Sequence, residues 1–89
     1  MNIEAILDER KKTHGDFAVH SQVSQNLKAC LFYRKGWMNL SPMQRESLEM
    51  ICHKIGRIMA GDPNHADHWQ DIAGYATLVV NYLEKREGV

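Results

Sequence analysis

Glu46, Glu49, His53 and Arg57 are separated by three, four and four residues, the spacing that lines side chains along one face of an α-helix. Two carboxylates one turn apart, Glu46 and Glu49, can hold a hard divalent cation such as Mg2+ through oxygen, leaving water and a substrate phosphate to complete its shell. Lys54 and Arg57 follow at a distance suited to meeting phosphate oxygens. A solvated helix face, with Glu49 facing His53 and His53 facing Arg57, would have the same pattern.

A second group follows in the stretch NHADHWQDIAGYA, where Asp67, Asp71 and Tyr75 are spaced by four and four, and His68 precedes Asp71 by three. These positions form a helix face distinct from an apolar stripe of Trp69, Ile72 and Ala76. If the two helices pair antiparallel, the second face comes beside Glu46 and Glu49 and gathers three or four carboxylates around one cleft. A divalent metal relieves the repulsion of such a cluster. Zinc is a competing expectation, through His65, His68, Asp67 and His53, although no paired cysteines and no HExxH motif accompany them. At THGDF, residues 13–17, His14 and Asp16 sit at a helix break from which they could point into the same cleft. Alternatively Gly15 makes the turn, Asp16 caps and Phe17 fills the core.

The elements that must position these groups can be read from periodicity and punctuation. Ile3, Ile6, Leu7 and Arg10 predict a helix from about 2 to 13. Val19, Val23, Leu27, Cys30 and Leu31 predict a second, capped by Asp16 or Ser21 and running to about Tyr33. Ser41-Pro42 supplies an N-cap with proline in the first turn of a third helix. That helix reaches Ala60 on a core stripe of Leu48, Ile51, Cys52, Ile55, Ile58 and Met59, and Gly61-Asp62-Pro63 ends it. Asn64 is the expected cap of a fourth, with a stripe of Trp69, Ile72, Ala73, Ala76, Val80 and Leu83. No segment alternates with period two, so the expectation is an all-α fold: one compact bundle of about four helices spanning residues 1–89, the last two forming an antiparallel hairpin.

Composition narrows the function classes. Eleven Lys+Arg balance eleven Asp+Glu, which removes the broad positive field that non-specific nucleic-acid binding needs; a helix-turn-helix reading of the break after Gly36 is weakened accordingly. The chain is 44% hydrophobic and 25% charged, with neither a membrane span nor a secretory signal at its start, so no membrane partner and a cytoplasmic location are expected. Cys30 and Cys52 lie in apolar helical patterns and are expected as buried, reduced thiols. A thin core, and the apolar surface of Tyr33, Trp37 and Tyr82, favour self-association.

Glu46-Ser-Leu-Glu49 and His68-Trp-Gln-Asp71, with Tyr75 one turn later, resemble the ExxE and ExxD motifs of the MazG-like all-α nucleoside triphosphate pyrophosphohydrolases. The first acid of the second motif is replaced by His68, with Asp67 beside it. Nearly the whole chain also resembles a family of small phage and prophage proteins sharing the ERKKTHGDF, QRESLEMICHKIGRI and DHWQDIAGYA segments. The MazG-like resemblance implies Mg2+ (or Mn2+) held by Glu46, Glu49, Asp71 and Asp67, with Glu46, Glu49 and Asp71 catalytic. A metal-activated water would cleave between the α and β phosphates. Lys54, Arg57, Tyr75, His14 and Asp16 then become candidate contacts to a nucleotide or other phosphorylated small molecule, and Phe32, Tyr33 or Trp37 a platform for the base unless they pack in the core. The same resemblance implies a homodimer or tetramer. A non-enzymatic phage protein that inhibits or regulates a host factor is the alternative.

Overall fold

Four α-helices and a short 3₁₀ turn make up the computed structural model of the chain, which describes residues 2–86. The ends of the expected 1–89 domain, residue 1 and residues 87–89, lie outside the described residues. Helix α1 (Ile3–His14) starts where the Asn2 side chain accepts hydrogen bonds from the Glu4 and Ala5 amides, satisfying two of the free N–H groups of a first turn. Asp16 does the same for α2 (Phe17–Phe32) through the Ala18 amide at 2.8 Å. After the 3₁₀ turn Lys35–Asn39, Ser41 opens α3 (Pro42–Ala60) with a full capping box: the Gln44 amide donates to Ser41 Oγ, and the Ser41 amide donates to Gln44 Oε1. Helix α4 spans Ala66–Arg86. The all-α bundle of four helices is thus what the chain forms, with no strand among the described residues.

Helix α3 is the central member. Both α2 and α4 pack along it, and α1 touches it far less. The crossing of the α1–α2 and α3–α4 turns is locked by glycine. Gly15 adopts φ +78°, and a Cβ there would collide with the carbonyl of Ala60; a Cβ on Gly61 would strike the Thr13 carbonyl. Only residues without side chains let the two turns meet backbone to backbone. Thr13 then ties both ends together, its carbonyl accepting from the Asp62 amide at 3.0 Å and from His68 Nε2 at 2.9 Å.

Several expected core positions are corrected by the packing. Trp69 is 55% exposed because its Nε1 donates to the Pro63 carbonyl and lies over the turn, while the neighbouring His68 is buried at 1% exposure. The inward line of α4 runs through His68, Ile72, Tyr75, Val79 and Tyr82, and Ala73, Ala76 and Val80 lie outside it. On α3, Cys52 is buried and Ile51, Ile55 and Ile58 are half-buried, but Leu48 and Met59 are exposed. Cys30 and Phe17 are exposed rather than buried, as are Phe32 and Tyr33, while Trp37 is half-buried. Among the described residues Cys52 is the sole apolar side chain to be buried. No helix among them is long and apolar enough to cross a membrane.

Candidate functional site

The C-terminal half of the α3 polar stripe, His53 and Arg57, lines a cleft, whereas Glu46 is exposed. The last turn of α1, the first turn of α2 and the C-terminal half of α3 enclose a cleft of about 460 Å³, bounded by Arg10, Lys11, His14, Asp16, Phe17, His20, His53 and Arg57 together with Leu7, Asp8 and Gly15. His14, Asp16 and Arg57, singled out from the sequence as substrate contacts, meet here. Lys54 and Tyr75 do not line the cleft: Lys54 pairs with Asp71 of α4, and Tyr75 lies in a shallow hollow on α4 with Gln70, Asp71, Gly74 and Leu78.

His20, 4% exposed, is the deepest side chain of the cleft. Its imidazole packs against the backbone of α3 at Gly56, where a Cβ would come within 2.6 Å of its Cδ2, and meets the His53 ring edge-on at 4.4 Å between centroids. Neither His20 Nε2 nor Arg57 Nε has a hydrogen-bond partner among the described residues, although both atoms are buried. Buried polar atoms are usually paired, and leaving one unpaired costs free energy. Both nitrogens belong to residues of the same cleft, and His20 Nε2 lies against the α3 backbone near Gly56.

Electrostatics make this lining a mixture of three fixed cations, the carboxylates of Asp8 and Asp16, and neutral imidazoles. Burial, with the Arg57 charge added, pushes His14 down to about 4. His53 is also pushed down to about 4, by burial and then by His20 and Arg57. His20 moves in the same direction for the same first cause. At neutral pH Arg10, Lys11 and Arg57 therefore carry the positive charge, while the imidazoles offer one donor and one acceptor each. Thr13 Oγ1 lies 3.3 Å from the Arg10 carbonyl, to which it donates, and 2.7 Å from His14 Nδ1.

The acids do not converge as expected. Asp71 Oδ2 lies 2.8 Å from Lys54 Nζ, and the Lys54 hydrogen bond and charge hold its carboxyl below the usual range. Lys54 is buried at 8% exposure, so this ion pair offsets the cost of placing an ammonium between α3 and α4. Asp67 is exposed and sits 3.6 Å from His65. Glu46 is exposed and Glu49 half-buried on the α3 face that continues from His53. Among the described residues no three His, Cys, Asp or Glu side chains are grouped to hold a metal ion; the donor set that the motifs suggest for Mg2+ does not fit one within a single chain.

His68, at the departure from ExxD, is spent on structure. Because a carbonyl only accepts, its bond to Thr13 O requires Nε2–H, and the ring lies 5.2 Å from His14 and 4.8 Å from His65 between centroids. Tyr75 presents its carbonyl to Ser47 Oγ at 2.9 Å, a link between α4 and α3.

Sequence reading alone missed Arg10, Lys11 and His20 as members of the site. Two signals were available: the basic run at the end of α1, and Gly56 in the middle of a helical pattern, where a glycine usually has a packing reason. No curated protein and no solved structure matches the chain. The family model described as domain of unknown function DUF6378 matches residues 2–82, and the chain belongs to that family.

Proposed function

We propose that the chain binds a nucleotide or another phosphorylated small molecule in the cleft between the α1–α2 turn and α3. The observation that carries this reading is the convergence of Arg10, Lys11 and Arg57 with the imidazoles of His14, His20 and His53 on one cavity whose volume suits a small ligand. Arg57, Arg10 and Lys11 supply charge for phosphate, with Arg57 able to donate in a fork. The neutral imidazoles of His14 and His53 add hydrogen bonds without the desolvation cost of further charge. A bound phosphate would raise their pKa values from about 4, so any proton uptake on binding tightens it as pH falls toward 4.

The test is a melting-temperature and calorimetric screen of nucleoside mono-, di- and triphosphates, pyrophosphate and orthophosphate, with and without Mg2+. The expected result is stabilisation by phosphorylated compounds that Arg57→Gln abolishes. If no compound at millimolar concentration shifts the melting temperature or releases heat, the reading fails.

Hydrolysis is the further step suggested by the MazG-like resemblance. It requires Glu46, Glu49 and Asp71 to share Mg2+ or Mn2+, and hence Asp71 to leave Lys54. Release of pyrophosphate from a nucleoside triphosphate, lost in Glu49→Gln, is its expected sign. The alternative, a non-enzymatic phage protein acting on a host factor, is favoured by one observation: His68 is buried on the Thr13 carbonyl and unavailable as a ligand.

A further inference from the structure

From Phe17 through Arg45 the chain contains no Asp or Glu, although it carries Lys28, Arg34, Lys35 and Arg45; all eleven acids lie outside this run. Within it, the end of α2 and the 3₁₀ turn expose Tyr33 at 88%, Met38 at 73% and Phe32 at 47%, beside the exposed Arg34 and Lys35. None of these side chains lines the cleft at His20, so Phe32, Tyr33 and Trp37 stand away from a ligand held there. We propose that this corner docks an acidic segment of another protein. Bulky apolar side chains of that segment rest on Phe32, Tyr33 and Met38, while its Asp or Glu carboxylates pair with Arg34 and Lys35.

Order in the turn is the first argument. The Arg34 amide donates to the Leu31 carbonyl at 3.1 Å, the Trp37 amide to the Arg34 carbonyl at 3.1 Å, and the Leu40 amide to the Trp37 carbonyl at 3.2 Å. Arg45 reaches back from α3, donating from Nε to the Trp37 carbonyl at 3.2 Å and from Nη2 to the Met38 carbonyl at 3.0 Å. The Phe32 and Trp37 rings meet at 4.9 Å between centroids. A surface held in shape before binding loses little further freedom on binding. Chemistry gives the class of partner. Tyr, Phe, Met and Arg are enriched at protein interfaces, and methionine adapts its shape to varied apolar side chains. Arg34 and Lys35 form no ion pair among the described residues, so both charges are open to a partner's carboxylates. A nucleic acid is less well matched. With Arg45 turned onto the backbone, Arg34 and Lys35 neutralise only about two phosphates, which gives weak, salt-sensitive attachment.

The proposal does not depend on ligand binding in the cleft, which shares no residue with this corner. The probe is a displayed library of random short peptides, selected on the immobilised full chain. Enriched sequences should combine Trp, Phe or Leu with Asp or Glu. An enriched peptide, synthesised and followed by fluorescence anisotropy, should lose about tenfold or more in affinity for the Arg34→Glu/Lys35→Glu variant, and as much for Tyr33→Ala. All three positions are exposed, and helical circular dichroism checks that each variant folds; Tyr33→Ala decides alone should the charge reversal disturb folding. Lys12→Glu, exposed on α1, should leave affinity unchanged. No enrichment, enriched peptides without acidic bias, or affinity indifferent to these substitutions overturns the proposal. So does binding of oligothymidylate that is steeply lost with salt and abolished by the charge reversal while the peptides fail to bind, an outcome that assigns the corner to single-stranded nucleic acid.

Discussion

His20 and Gly56 are a matched pair: a buried imidazole occupies the space that a side chain on α3 would need. Gly56→Ala should therefore destabilise, because the overpacking cost of about 1–3 kcal/mol exceeds the ~1 kcal/mol gained in helix propensity. Gly74 on α4, which has nothing within 4 Å of an added Cβ, is the internal comparison; Gly74→Ala should stabilise by about 0.5–1 kcal/mol. Urea denaturation of both variants measures the contrast, and equal effects would discount the role given to His20. The imidazoles also set a pH dependence. His14 and His53 are near 4 in the folded chain against 6.5 in an unfolded one, so between those limits the unfolded state binds protons that the folded state refuses. The stability they contribute is complete above pH 6.5 and is lost as pH falls toward 4. Replacing both by asparagine should reduce the slope of the unfolding free energy across that window, leaving the contribution of His20 and the fall at still lower pH where Asp71 releases Lys54.

Helix boundaries are governed by short-range chemistry, and here the sequence was an accurate guide. Ser41, Pro42, Gln44 and Gly61 are each recognisable by type, and α3 begins and ends where they stand. Ser41→Ala removes the capping hydrogen bond to the Gln44 amide and should cost about 1 kcal/mol, seen as a lower urea midpoint with unchanged slope. The phase of α4 was misread for an equally physical reason. Hydrophobicity ranks Trp69 above His68, but tryptophan found its acceptor six residues back at Pro63, and histidine found its own 55 residues away at Thr13. No window along the chain contains the second partner. The Gly15–Gly61 contact has the same character: each glycine reads locally as a turn, and only their meeting explains why neither tolerates a side chain.

At the level of the whole molecule, a formal charge of zero coexists with a cleft in which Arg10, Lys11 and Arg57 only narrowly outnumber Asp8 and Asp16. Long-range attraction for polyanions is therefore weak, and binding should depend on contacts within a few ångströms of Arg57, Arg10 and Lys11. Raising NaCl from low to molar concentration should weaken pyrophosphate binding only modestly, in contrast to the steep dependence of a nucleic-acid-binding surface. Titrations at several salt concentrations check this. The open packing of the single chain, with Cys52 its sole buried apolar side chain among the described residues, places much of its potential stability in surface that is still exposed.

The sequence by itself determined the all-α class, the four helices and most of their ends, since caps, proline and glycine act over a few residues. It also marked His14, Asp16 and Arg57 as residues able to do chemistry. Tertiary structure decided which of these meet. It assigned Asp71 to Lys54 and His68 to Thr13, and drew His20, Arg10 and Lys11 to Arg57, because the partners of a buried polar group are set by helix crossing and helix phase. Those depend on how whole surfaces fit, and no local spacing encodes them.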